Sequence, residues 1–115
     1  MQEITLNIIN WLGGYRSFSL MTGITWDKMM TIKAESKLRM KLPRNSSKAN
    51  YLYVQYDECN DLYNIEFISS RKYKGEITTK TILSCDGLDG EQLRYTFIET
   101  TGLDLRVPTI IGFNN

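Results

Sequence analysis

Two periods of hydrophobic spacing divide the chain. Along residues 4–12, Ile4, Ile8, Trp11 and Leu12 recur at i, i+4, i+7 and i+8, which places them on one face of a short helix. Gly13-Gly14 follows, and glycine takes the left-handed backbone that ends helices. Phe18 and Met21 lie three apart within residues 15–21, predicting a second short helix that stops at Thr22-Gly23. From Trp26 the period falls to two. Met30, Ile32 and Ala34 alternate with Thr31, Lys33 and Glu35; Leu38, Met40 and Leu42 alternate with Lys37, Arg39 and Lys41. Such alternation marks half-buried strands, so residues 28–42 read as a hairpin turning at Glu35-Ser36. Pro43 has no N–H to give a ladder and closes the second strand.

Arg44 to Lys48 is a polar loop. Residues 51–56, Tyr-Leu-Tyr-Val-Gln-Tyr, are aromatic and β-branched, as strands prefer. Asp57 to Asp61 reads as a turn, because Asn and Asp tolerate turn geometry. Residues 62–68 form the next predicted strand, with Tyr63, Ile65 and Phe67 on one face. Residues 74–83 follow, with Ile77, Thr79, Thr81 and Leu83 on one face. The last helix has the fullest local signature: Asp89 as N-cap, Gln92 three residues on, an apolar set Leu93, Phe97 and Ile98, and Gly102-Leu103 as its stop. Short connections favour an antiparallel meander. The expected fold is α+β: two short N-terminal helices, about five antiparallel strands, and a C-terminal helix on one sheet face. Residues 1–115 read as a single domain, with 104–115 as an extended apolar tail. Trp11, Trp26, Tyr63, Phe67 and Phe97 are expected in the core. Tyr51 and Tyr53 fall on the opposite face of their strand, which marks them as contact residues.

The composition narrows the function classes. Of 115 residues 42% are hydrophobic, enough for one modest core. No run of 18 apolar residues occurs, and the N-terminal stretch has neither a basic nor an apolar signal region. The expectation is a cytoplasmic protein with no membrane partner. The chain has no histidine, which excludes Ser–His–Asp and Cys–His nucleophile systems. Cys59 and Cys85 lie far apart without ligand spacing; they read as ordinary reduced thiols, with a disulfide as the alternative. The acid groupings Asp57-Glu58-x-x-Asp61 and Asp86-x-x-Asp89-x-Glu91 read as turn and cap chemistry. A carboxylate Mg²⁺ site, and with it a small nuclease dependent on Asp57 and Asp61, is the competing reading. No cofactor motif is present, so the chain is expected to bind rather than catalyse.

Charge is unevenly spread along a chain whose net charge is only +1. Residues 28–48 hold seven bases against Glu35 alone; residues 71–80 hold Arg71, Lys72, Lys74 and Lys80 against Glu76. Residues 81–115 hold five acids and two bases. The candidate binding set is therefore Lys33, Lys37, Arg39, Lys41, Arg44, Lys48, Lys72 and Lys74, with Tyr51 and Tyr53. A basic stripe steers and holds polyanions, and tyrosines add stacking platforms for RNA or single-stranded DNA. The alternative is a solvated strand face, charged to discourage strand addition.

Five stretches give the chain a resemblance: 19–23 (Ser-Leu-Met-Thr-Gly), 41–45 (Lys-Leu-Pro-Arg-Asn), 50–54 (Asn-Tyr-Leu-Tyr-Val), 61–67 (Asp-Leu-Tyr-Asn-Ile-Glu-Phe), and 90–103, which begins Gly-Glu-Gln-Leu-Arg-Tyr. In this order they resemble a family of small uncharacterised phage and prophage proteins. The chain departs from that pattern by extra residues between Gly23 and Lys37 and by a longer tail. The resemblance implies a virus-encoded origin and carries no settled activity or catalytic residues. Small phage proteins of this kind are often counter-defence factors, anti-CRISPR proteins among them, which mask a nuclease or its guide-binding surface. The expected partner is then a host defence protein or ribonucleoprotein; the alternative is an accessory nucleic-acid-binding protein of phage replication.

Overall fold

The structure, a computed structural model, describes residues 3–103. Helices α1 (Glu3–Trp11) and α2 (Tyr15–Thr22) lead into five strands, β1 (Met29–Ile32), β2 (Lys37–Lys41), β3 (Tyr51–Asp57), β4 (Leu62–Tyr73) and β5 (Glu76–Leu88), and then α3 (Gly90–Thr101). The strands form one antiparallel sheet in sequence order. Helices α1 and α3 pack on one face of it, and α2 packs on α1. The fold is α+β, as expected. The predicted tail lies outside the described residues.

One face of the sheet and the helices enclose the core. Leu38 and Met40 of β2, Leu52 and Val54 of β3, and Tyr63, Ile65 and Phe67 of β4 point into it, against Ile8 and Ile9 of α1, Leu12 just after it, and Leu93 and Phe97 of α3. Phe18 of α2 meets Phe97 with ring centroids 5.8 Å apart. Each such ring, fully buried, contributes roughly 1.5–3 kcal/mol relative to exposure. The chain stops are glycines where the sequence places them. Gly23 (φ 78°) ends α2 and Gly102 (φ 73°) ends α3, donating its N–H to Ile98 O. Asp89 accepts from Gln92 N at 2.8 Å while Gln92 Oε1 accepts from Asp89 N at 2.9 Å, the reciprocal capping box.

Four expectations are corrected. Trp11 is not core: it is 46% exposed, and its ring lies over Gly90, where any Cβ would sit 2.0 Å from it. The buried face of α1 is instead Thr5, Ile8 and Ile9. Second, β1 has the opposite phase. Met29 pairs with Met40 and Thr31 with Leu38, so Met29 and Thr31 face the helices, and Met30 and Ile32 the other side. The hydroxyls of Thr5 and Thr31, 2.7 Å apart, share a hydrogen bond across this layer, which removes the cost of burying a lone polar group. Ala34 lies in a 3-10 turn, Lys33–Glu35, and is exposed. Third, Trp26 is half-buried, its ring stacked 3.9 Å from that of Tyr15. Fourth, β4 and β5 run past the predicted ends, and Ile77 is 70% exposed.

The overrun of β4 and β5 forms a two-stranded arm. Five cross-strand pairs, from Ser69↔Lys80 to Tyr73↔Glu76, continue the ladder beyond the sheet body. Lys74 and Gly75 close it with φ of 51° and 83°. Positive φ at both central residues is the hairpin turn whose twist matches paired strands. Residues 71–82 are all exposed. Both cysteines are free, Cys59 in the β3–β4 turn and Cys85 within β5.

Candidate functional site: the helix-free sheet face and the basic arm

Cross-strand partners share a face, so the register assigns the side of the sheet that no helix covers among the described residues. One row runs Ile32, Lys37, Gln55, Asn64; the next runs Met30, Arg39, Tyr53, Glu66, Ser84; a third runs Lys41, Tyr51, Ile68, Thr81. Strict alternation of apolar residues with charged, polar or tyrosine residues in 37–41 and 51–55 produces this: Leu38, Met40, Leu52 and Val54 go to the core, so their neighbours must point away.

The cations lean on the tyrosines. Lys37 Nζ lies 5.4 Å from the Tyr53 ring centroid, and Arg39 Cζ 5.2 Å from that of Tyr51. Each reaches diagonally, one pair along the strand, a contact worth about 0.5–1 kcal/mol at exposed sites. Lys37 also pairs with Glu35 at 3.4 Å. Both tyrosines are half-buried. Beside them lies a depression of about 250 Å³, bordered by Lys37, Tyr53 and Gln55 on one side and Asn64, Glu66, Ser84 and Asp86 on the other. Among the described residues neither Glu66 nor Asp86 forms an ion pair. The face therefore changes sign across the tyrosines, basic on β2 and acidic on β4 and β5.

The ten residues singled out from the sequence divide into groups. Lys37, Arg39, Lys41, Tyr51 and Tyr53 come together on the open face. Arg44 and Lys48 instead border a separate depression of about 440 Å³ with Arg71, and Lys72 and Lys74 lie on the arm. Lys33 sits apart, exposed in the 3-10 turn. Sequence reading missed Glu66, Asp86, Gln55 and Asn64 on the face, since only the register of three strands brings them beside Tyr53. It also missed Arg71, Lys80, Tyr73 and Ile77 as one structure. The signal available for that was Lys74-Gly75 between two stretches rich in β-formers.

The loop carrying Arg44 and Lys48 is tied down. Asn45 Nδ2 donates to Pro43 O at 2.7 Å and to Ala49 O at 2.8 Å, and its Oδ1 accepts from Ser47 N at 3.0 Å. Ser46 N donates to Thr101 O at 2.9 Å, which fastens the loop to the end of α3. Asn50 fixes the base of the arm: its Nδ2 donates to Ser70 O at 2.7 Å and its Oδ1 accepts from Ser70 N at 2.8 Å.

The acids weighed as a metal site are occupied in the β3–β4 turn. Asp57 accepts from Cys59 N at 3.0 Å and Asn60 Nδ2 at 2.8 Å, and the Asn60 bond lowers its pKa. Asp61, at φ 53°, accepts from the Tyr56 hydroxyl at 2.7 Å. That bond raises the Tyr56 pKa to about 12. No group of three or more potential metal ligands occurs among the described residues. Among them, too, no helix is long and apolar enough to cross a membrane. Comparison of the chain with protein-family models, with curated proteins and with solved structures finds no match.

Proposed function

We propose that the protein works by binding without turnover, and that the helix-free sheet face is where a protein partner docks. The observation that carries this is the change of sign across the tyrosine pair. Glu66 and Asp86 stand on the same face as Lys37, Arg39 and Lys41. A polyanion lying across the tyrosines would meet both acids. A protein surface of complementary pattern would meet neither repulsion nor an unpaired charge. Half-buried tyrosines with an adjacent arginine are also the residue types that dominate protein-binding energy.

The resemblance to small phage proteins supplies the setting. The partner is a host defence effector that handles nucleic acid, and the protein is a counter-defence inhibitor of the anti-CRISPR kind, acting in the host cytoplasm. The test is capture of an RNA-guided nuclease from cells that carry one, followed by a cleavage assay with the purified pair. Cleavage is expected to fall with added protein. Tyr53→Ala or Arg39→Glu is expected to weaken capture by about 30-fold or more, the size of a central contact. Undiminished cleavage and no captured nuclease overturn the reading.

A further inference from the structure

The open face leaves a second concentration of positive charge unused. The arm, residues 69–80, holds four bases against Glu76, a net +3. The loop 42–50 adds Arg44 and Lys48, and both border one depression with Arg71 at the arm's base. Together these two segments carry +5 in a chain of net +1, so the remainder is at −4. The molecule is a dipole with a basic projection.

We propose that the arm is a binding site for B-form duplex DNA, laid in the major groove with phosphates held on both sides. Three observations select this ligand. The first is the placement of the bases. Side chains alternate along a strand and paired residues share a face, so Arg71 and Lys80 project from one face of the arm and Lys72, opposite Ile77, from the other. A flat acidic surface reaches only one face. A groove has two phosphate walls and reaches both. The second is size. Two paired strands stand about 4.8 Å apart, and the B-form major groove, about 12 Å wide, admits a two-stranded ribbon. The major groove of duplex RNA is too narrow for side chains to read. The third is exposed apolar surface near the tip on both faces, Tyr73 at 71% on the Arg71 face and Ile77 at 70% on the Lys72 face. These have no core to serve and can contact base edges and thymine methyls. The base of the arm is rigid through Asn50 and Ser70, so the projection meets the duplex preformed, with little ordering cost on binding.

This site is distinct from the sheet face, and its test is independent of any protein partner. The full chain is titrated against a fluorescently labelled duplex of mixed sequence, its single strand, and a duplex RNA of the same length, with anisotropy as the readout. Binding to the DNA duplex is expected to weaken roughly 150-fold between about 50 and about 200 mM salt, as four phosphate contacts require. The triple variant Arg71→Glu, Lys72→Glu, Lys74→Glu is expected to lose about 100-fold or more at low salt. All three positions are exposed, so its melting temperature is expected to match that of the parent. Lys37→Glu with Arg39→Glu, on the sheet face, is expected to leave DNA affinity within about 3-fold. Retention of affinity by the arm variant overturns the proposal, as does absence of duplex binding at low salt. Equal or tighter binding of the single strand or the duplex RNA overturns it too.

Discussion

β4 and β5 each run through two settings. Their parts in the sheet body, Leu62–Ile68 and Thr81–Leu88, bury every second side chain of β4 from Tyr63 to Phe67 against the helices; beyond them the same two strands stay paired, with every residue from 71 to 80 exposed. The body keeps its strands because Tyr63, Ile65 and Phe67 pack on α1 and α3. The arm keeps them through cross-strand hydrogen bonds and a turn whose two residues accept positive φ. Pairing and burial are thus separable causes of strand, and in this protein stability belongs to one region and exposed charge to the other.

The sharpest way to break this contrast is to cut a ring from the body. Phe97→Ala is expected to cost about 3–5 kcal/mol, read from urea denaturation. Ile77→Ala in the arm is expected to change stability by less than about 0.5 kcal/mol. Equal losses at the two positions would show that the arm shares the body's cohesion. A smaller effect is expected at the start of α3. A Cβ at Gly90 would meet the Trp11 ring at 2.0 Å, so Gly90→Ala is expected to destabilise by roughly 1–3 kcal/mol. With Trp11→Ala also present most of that penalty should disappear, and a double-mutant cycle measures the coupling. Removing the cap with Asp89→Ala should cost about 1 kcal/mol in the same assay.

Two further measurements sharpen the comparison. Gly75 has φ 83° with open space around it, so Gly75→Ala is strained without a clash. Its effect, about 1 kcal/mol, should be confined to the arm. Hydrogen exchange of amides 70–80 should quicken while those of β3 hold their rates; quickening across the whole sheet would contradict local opening. The last measurement concerns pH. The Tyr56 hydroxyl donates to Asp61, and the bond lifts its pKa from 10.0 to about 12. The folded value exceeds the unfolded one, so this bond's stabilisation is complete below pH 10 and is lost as pH rises toward 12. Asp61→Asn should let Tyr56 ionise nearer pH 10, seen as an earlier step in tyrosinate absorbance.

Local rules made much of the fold legible. The Asp89–Gln92 box, the glycine stops and the alternation of 37–41 each depend on a few neighbouring residues, and each is found where the sequence places it. Positions decided by distant partners were not legible. The phase of β1 depends on Thr31 finding Thr5 across the core, and hydropathy scores threonine as outward. Trp11 lies on the predicted apolar face but covers Gly90, a tertiary contact that helical periodicity does not carry. The arm carries no such signal, because alternation reports burial and residues 71–80 are all exposed. The candidate site divides the same way. Lys37, Arg39, Lys41, Tyr51 and Tyr53 follow from alternation within single strands. The opposing acids Glu66 and Asp86 need the pairing of β3 with β4 and β5.

The strict sequence order of the sheet has a consequence for how the chain reaches this state. Each strand can zip onto the one made just before it, so pairing closes only short loops and is entropically cheap. The apolar underside is another matter. Phe18 waits for Phe97, near the far end of the described chain. During synthesis a growing sheet therefore stands half-uncovered until α3 emerges, and that interval is when the nascent protein is most exposed to misassociation.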